Sequence, residues 1–283
     1  MGNKVILSAD STCDMSPELY QKYNIVHIPL YITFGEKSFR DGVDITPDEL
    51  YKKVNDEGIM PKTSAISVGD FIEYFENLLK NGDQVVHFSL SSGLSCTYQN
   101  ALLAANEFEG KVFIVDTLNL STAEALTVLY AADLRDAGAG ANEIVEKAQA
   151  YAKRVDASFI VDNLEFLRKG GRCSALSALG ANLLSIKPCI EVKDGKMDVG
   201  KKYRGKFKMV LQKYIEERLA EGNLDTTRIF VTHAGCADDV VQMAYQAALD
   251  TGIFSEVILA RAGCTISSHC GPDTLGILFA HNE

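Results

Sequence analysis

The sequence predicts an α/β protein of two domains, and three observations lead to this fold class. Its 283 residues suffice for two domains of ordinary size, each with its own core. Short apolar, β-branched runs recur along the whole chain, and segments with helical periodicity separate them. We therefore expect an N-terminal domain with a largely parallel sheet and flanking helices, followed by a C-terminal domain with a mixed sheet and helices.

The predicted strands are runs whose apolar content is too continuous for half-exposed strands. They cover residues 4–8, 25–34, 84–89, 112–116, 158–162, 228–232, 256–260 and 275–280. In the second half, Asp194-Gly195 has the sequence of a two-residue hairpin turn, which predicts antiparallel pairing there.

Helix start signals lie between these runs. Thr46 precedes a proline at the first helical position, and Glu49 completes a capping box with it. Ser67 with Asp70 forms a shorter version of the box before a second helix.

The regular βα alternation pauses near residue 163. A glycine-broken basic turn at 168–172 follows the strand at 158–162, and a new helix is predicted over 174–184. We place the domains at 1–163 and 164–283.

Charge and cysteine content exclude several classes of protein. The chain carries 38 acidic and 28 basic residues, and its net charge of −10 repels the phosphate backbone, so we expect no nucleic acid partner. Seven scattered cysteines without a C-x-x-C pair are typical of reduced thiols in a cytosol. The N-terminus has too few apolar residues for a signal peptide, and no apolar run could span a membrane, so we expect a cytoplasmic protein.

Two loops rich in hydroxyl side chains are the candidate binding elements. Ser92 and Ser95 lie between a strand and a helix predicted over 97–108, where unpaired N–H groups and the helix dipole favour an anion. Thr63 and Ser64 lie in a similar loop before another helix. Parallel α/β sheets bind ligands beyond the carboxyl ends of their strands, so both loops could face one crevice. Helix capping accounts for these residues equally well on spacing alone.

Motifs for catalysis and metal binding match less well. Gly93-Leu94-Ser95 could be half of the nucleophile elbow of a serine esterase or acyltransferase, but the closing glycine is missing. Asp10 and Asp14 follow the first strand and could hold Mg²⁺, although local turn bonding is the simpler role. Zinc spacings, phosphate loops and dinucleotide fingerprints are absent from the sequence, so we expect no metal and no cofactor.

Several motifs, taken in their order, resemble the DegV family of lipid-binding proteins, which serve as acyl carriers for bacterial fatty acid kinase. The resemblance covers the whole chain. It rests on DSTCD at 10–14, PKTS at 61–64, the loop at 91–99, FLRKGGR at 166–172, IKP at 186–188, RGK at 204–206 and His269-x-Gly271-Pro272.

The resemblance implies a carrier without catalysis of its own, which holds one long-chain fatty acid in a tunnel and presents it to the kinase for phosphorylation. It implies that Thr63 and Ser95 hold the carboxylate and that His269 belongs to the same polar network. It also implies that Arg172 and Arg204 dock the kinase.

Three positions depart from the family pattern: Ala65 after K-T-S, Cys96 after Ser95, and Asp273 after Gly271-Pro272. A negative charge on Asp273 would oppose an anion if the side chain pointed into the site. Two other functions fit the residues: an esterase or acyltransferase that uses Ser95, and a sensor of small carboxylates.

Overall fold

The structure is a computed structural model that describes residues 4–179 and 186–283. Its strands are β1 (Val5–Asp10), β2 (Ile25–Ile28), β3 (Tyr31–Phe34), β4 (Lys37–Arg40), β5 (Lys62–Ser64), β6 (Gln84–Ser89), β7 (Val112–Asp116), β8 (Val155–Val161), β9 (Ile186–Lys193), β10 (Lys196–Arg204), β11 (Leu224–Ala234), β12 (Glu256–Arg261) and β13 (Thr274–His281). Its α-helices are α1 (Pro17–Lys22), α2 (Pro47–Glu57), α3 (Val68–Leu79), α4 (Thr97–Ala105), α5 (Thr122–Asp136), α6 (Ala141–Ala152), α7 (Glu165–Gly170), α8 (Phe207–Leu219), α9 (Asp238–Asp250) and α10 (Cys264–Cys270).

Two sheets of different character confirm the predicted fold class. The first has four parallel strands in the order β2-β1-β6-β7. The second has six strands in the order β10-β9-β8-β13-β11-β12, of which only the β11–β12 pair is parallel. The predicted hairpin turn joins β9 to β10, with positive φ at both Asp194 and Gly195.

The predicted domain boundary at 163 remains a prediction, but membership of the two sheets changes earlier in the chain. β8 pairs with β13 and β9 in the second sheet, so the crossing from one sheet to the other lies between β7 and β8. Of the helix predicted over 174–184, the structure shows a 3₁₀ helix at Ser174–Leu179, and residues 180–184 lie outside the described part of the chain.

A third sheet, β4-β3-β5, is antiparallel and was not predicted. The single run expected over 25–34 is two strands in different sheets, because Pro29 between them has no N–H to donate and ends β2. Lys62–Ser64, expected as a loop, forms β5 and pairs Thr63 with Ile32. This small sheet therefore fixes the backbone of one candidate binding residue.

Helix α5 lies between the two large sheets. It contacts β1 and β6 of the first sheet and β8, β11 and β13 of the second. Most of its residues are buried, and several of them are alanines, which let the helix backbone approach both sheets closely. Within the described residues, no helix combines the length and apolar character required to cross a bilayer.

His87 on β6 is a fully buried ionisable group in the core of the first sheet. Its Nδ1 lies 2.9 Å from Ser8 Oγ, its Nε2 has no partner among the described residues, and the rings of Phe71, Tyr74 and Phe75 surround it. Burial lowers the pKa of His87 from 6.5 to about 3. The imidazole is therefore neutral in the folded protein.

We expect His87 to make the protein less stable in acid. The unfolded chain binds a proton on this residue below pH 6.5, whereas the folded chain does so only below about pH 3, so stability is lost as the pH falls between these values. From about pH 7 to about pH 5 the loss amounts to about 2 kcal/mol. In His87→Asn, which keeps a polar atom near the Nδ1 position, urea unfolding should show a pH dependence weaker by that amount. An identical pH dependence in both proteins would contradict this assignment.

Candidate functional site

A cavity of about 180 Å³ lies where the two hydroxyl-rich loops meet α10. It brings together five of the seven residues that the sequence singled out, namely Thr63, Ser64, Ser95, Arg172 and His269. The remainder of its wall is mostly apolar: Leu30, Ala65, Leu90, Leu94, Cys96, Leu120, Met197, Thr265 and Ile266. We call this space the polar cavity.

Thr63 and His269 form a hydrogen-bonded pair in the wall of the polar cavity. Thr63 Oγ1 lies 2.8 Å from His269 Nε2, and the partners are 206 residues apart in sequence. Burial, and then the nearby positive charge of Arg172, lower the pKa of His269 from 6.5 to about 4. The pair is therefore uncharged at neutral pH, and the exposed Arg172 supplies positive charge at the cavity.

Two glycines of the family motifs explain how His269 is held. A Cβ atom on Gly170 would lie 2.4 Å from His269 Nδ1, so only glycine lets α7 approach this ring. Gly271 has φ +76°, and a Cβ there would lie 2.8 Å from the Phe166 ring. The FLRKGGR and H-x-G-P motifs thus pack against each other and fix the histidine.

Ser95 lies in the loop before α4. Its hydroxyl lies 2.9 Å from Thr97 Oγ1 and accepts a hydrogen bond of 3.2 Å from the Thr97 N–H. Among the described residues no histidine hydrogen-bonds to Ser95. The loop places this hydroxyl beside the positive end of the α4 dipole.

Three other residues of the sequence analysis lie outside the wall of the polar cavity. Ser92 is exposed, and its N–H donates to Asp116 Oδ1 at 3.2 Å. Arg204 is exposed at the end of β10. Asp273 is also exposed and does not line the polar cavity, whereas Ala65 and Cys96 do.

A second cavity, almost entirely apolar, adjoins the first. It measures about 40 Å³ and shares Leu120 and Ile266 with the polar cavity. Its other lining residues are Ser121, Ala157, Phe159, Thr232, His233, Ala234, Ala262, Cys270, Thr274, Gly276 and Leu278. We call this space the apolar cavity, and Leu120 and Ile266 form the junction between the two.

The loop that carries Leu120 has a strained backbone. Leu118 has φ 54°, and Ser121 has φ 55° and ψ −147°. Residues other than glycine rarely adopt such positive φ values. A residue in such a conformation lowers the free energy of unfolding by about 1–3 kcal/mol, and it persists only where the surrounding structure holds it in place. Ser121 Oγ donates to Asp14 Oδ2 at 2.5 Å, which helps to hold this loop at the junction.

Asp10 and Asp14, considered above as Mg²⁺ ligands or turn residues, hold the loops that surround the site. Asp10 accepts hydrogen bonds from Ser89 Oγ and the Leu90 N–H at 2.9 and 3.0 Å. Asp14 accepts from the Gly263 N–H at 2.9 Å, directly before α10. Both are buried, and burial raises their pKa values. These bonds fix the ends of the segments that line the polar cavity.

One group of side chains in the described part of the chain has the spacing of metal ligands. It consists of Asp156, Glu221 and His281, none of which lines the polar cavity. Arg218 lies 2.5 Å from both Asp156 and Glu221. Its guanidinium already supplies the positive charge that these carboxylates need.

Sequence reasoning missed Thr265, Leu120 and Ile266. Thr265 is 3% exposed and lines the polar cavity, while its hydroxyl is buried without a partner among the described residues. These residues belong to short buried segments, in which an apolar or hydroxyl side chain is ordinary core by pattern. Only the path of the chain in three dimensions brings them to the site.

Comparison with known proteins agrees with the motifs. A family model described as "Uncharacterised protein, DegV family" matches residues 4–282. A fatty acid-binding protein of Thermotoga maritima is 34% identical over 281 residues, with 96% of each chain covered. A solved structure described as fatty acid binding of a DegV family protein from Thermus thermophilus has a TM-score of 0.90 at 31% identity and covers 99% of this chain and 100% of that one. A stearic acid-binding protein from Eubacterium ventriosum has a TM-score of 0.83 at 25% identity, with 97% of both chains covered. The chain belongs to the DegV family.

Proposed function

We propose that this protein binds one long-chain fatty acid, with the carboxylate in the polar cavity and the acyl chain directed through the junction into the apolar cavity. The observation that carries the proposal is that the two cavities lie against the same two side chains, Leu120 and Ile266. A small polar acid would need only the first cavity. An amphiphile with a polar head and an apolar tail matches both.

The carboxylate would be held by directed hydroxyl groups. If Thr63 Oγ1 accepts a hydrogen bond from the Nε2–H of the neutral His269, its own hydrogen is free to donate to a carboxylate oxygen. Ser95 provides a further hydroxyl-bearing side chain in the same wall. Arg172 and the α4 N-terminus offset the repulsion that the net charge of −10 exerts on an anion.

The acyl chain would gain about 0.8 kcal/mol for each CH₂ group removed from water. The apolar cavity of about 40 Å³ holds little more than one water-sized group, so its lining must move apart to admit the chain. The lining includes small residues, which leave room for an acyl chain: Ala157, Ala234, Ala262 and Gly276.

Purified protein should carry a fatty acid or accept one. We expect denaturing extraction followed by mass spectrometry to recover a long-chain fatty acid at about one per chain, because the carboxylate is proposed to occupy the single polar cavity. Short acids should give less thermal stabilisation than palmitate. A preparation that is empty and that also fails to bind added palmitate would overturn the proposal.

We further propose, on the family resemblance, that the protein acts in the cytoplasm and presents its fatty acid to a fatty acid kinase. Arg172 and Arg204 are both exposed, and Arg172 also lines the polar cavity. A kinase that reaches the carboxylate must approach this side of the protein. The exposed guanidinium group of Arg172 can orient an acidic partner surface there, and Arg204 would extend the contact to the end of β10.

Arg204→Glu tests the docking role without touching the wall of either cavity. We expect phosphorylation of bound palmitate by the kinase to fall by about tenfold, because a reversed charge at an interface mainly slows association. Palmitate affinity should stay unchanged. Lys147→Glu on α6 is the matched control, since Lys147 is an exposed residue whose salt bridge is to Glu143 and which lines neither cavity. Equal losses in both variants would show a general charge effect and contradict docking through Arg204.

A further inference from the structure

Helix α10 begins at a residue that cannot cap it. The N-cap residue is Gly263, and six of the seven helix residues are buried, so the first backbone N–H groups need acceptors from elsewhere in the chain. Asp41 supplies two of these acceptors: its Oδ1 accepts from the Cys264 N–H at 2.8 Å, and its Oδ2 accepts from the Thr265 N–H at 3.0 Å. A carboxylate that lies 223 residues away in sequence therefore fixes the start of the helix that carries His269.

Asp41 is held in this orientation by the protein itself. The residue is 3% exposed, and Ser11 Oγ donates to its Oδ2 at 3.1 Å. Its side chain lies at the positive end of the α10 dipole, where a carboxylate is favoured. Asp41 does not line the polar cavity, so it acts on that cavity only through other residues or through its charge.

The backbone of Asp41 holds the opposite side of the same cavity. Its N–H donates to the Leu30 carbonyl at 2.9 Å, and Leu30 lines the polar cavity directly before β3. β3 in turn pairs Ile32 with Thr63 on β5. One residue therefore connects the sheet that carries Thr63 with the helix that carries His269, and these two side chains form the hydrogen-bonded pair of 2.8 Å in the cavity wall.

We propose that Asp41 is a positioning residue for the carboxylate site, because it holds α10 against the small sheet so that His269 Nε2 stays within hydrogen-bond distance of Thr63 Oγ1. The Thr63 hydroxyl is a directed donor only while this pair is aligned. The effect on ligand affinity rests on the function proposed above, whereas the effect on His269 does not.

The pKa of His269 in the ligand-free protein tests the positioning directly. In Asp41→Asn the side chain keeps its shape but has one acceptor oxygen for two N–H groups of α10, so the helix should shift and the His269 ring should become more hydrated. We expect its pKa, followed by NMR, to rise from about 4 toward 6.5. Loss of the negative charge alone would lower this pKa, because a nearby anion stabilises the imidazolium ion. A pKa that stayed at about 4 or fell would overturn the proposal.

Asp44→Asn is the matched control. Asp44 follows in the same loop, but it is exposed and accepts hydrogen bonds from the N–H and the guanidinium group of Arg40. We expect the pKa of His269 to remain at about 4 in this variant. If Asp41→Asn does not fold, Ser11→Ala takes its place, since it removes the hydroxyl that orients the Asp41 carboxylate and leaves the carboxylate itself. A smaller rise of the His269 pKa is then expected, and the absence of any rise would equally count against the proposal.

Palmitate binding tests the consequence for the ligand site. The Kd should rise by about tenfold in Asp41→Asn, because part of the binding energy must then realign the Thr63–His269 pair. In a Thr63→Val background, where this pair is already absent, Asp41→Asn should add less than about twofold. Equal losses in both backgrounds would show a general loss of stability, and tighter binding would show charge repulsion; either result contradicts positioning through the pair. If the wild-type protein binds no palmitate, the proposed function fails, and the His269 titration still decides the role of Asp41.

Discussion

The double variant Thr63→Val/Ser95→Ala should bind palmitate about 10² to 10⁴ times more weakly than the wild-type protein, because a hydrogen bond to a charged group contributes about 1.5–3 kcal/mol and two are lost. Valine keeps the shape of Thr63 but removes both its donor and the partner of His269 Nε2. Calorimetric titration with palmitate measures the loss. The two single variants should each give a smaller loss, because one hydroxyl remains.

Ser92→Ala is the matched control for this experiment. Its hydroxyl belongs to the same serine-rich loop, but the residue is exposed and does not line the polar cavity. We expect its palmitate affinity to remain within about twofold of wild type. If the double variant bound palmitate normally while remaining folded by circular dichroism, the carboxylate would have to be held elsewhere.

The sequence singled out five of the fourteen residues that line the polar cavity, and it did so through motif order. The Thr63 and Ser95 loops each resemble ordinary helix caps, and nothing in their spacing distinguishes a cap from a ligand. Ser95 accepts the Thr97 N–H as a capping residue would, and it also lines the cavity.

The elements that sequence patterns failed to predict are those whose role depends on distant partners. β5 is three residues long and becomes a strand only because β3 pairs with it. Asp10 and Asp14 have the spacing of a local turn, yet Asp14 bonds to Ser121 and Gly263, which are 107 and 249 residues away. Sequence patterns cannot predict these hydrogen bonds, because periodicity and capping signals involve only residues that are close in sequence.

The largest effect on ligand choice should come from the apolar cavity. If the acyl chain extends through the junction, each added CH₂ contributes about 0.8 kcal/mol, or about a fourfold gain in affinity. Wild-type affinity should therefore rise steeply from octanoate to palmitate. If the polar cavity alone formed the binding site, the affinity would stop rising with chain length once the acyl chain was long enough to reach Leu120 and Ile266.

Ala157→Leu should remove much of this dependence on chain length. Ala157 is 2% exposed, lies on the central strand β8 opposite Leu278, and lines the apolar cavity of about 40 Å³. A leucine there occupies the space that the distal acyl carbons require, so we expect palmitate affinity to fall by about tenfold or more while octanoate affinity changes little. Ala157→Val, with a smaller side chain, should give an intermediate result and controls for disturbance of the core. If both variants lost octanoate and palmitate equally, the defect would lie in folding or in the head-group site. If both retained the wild-type preference for palmitate, the acyl chain would run along a path other than the one from the junction into the apolar cavity.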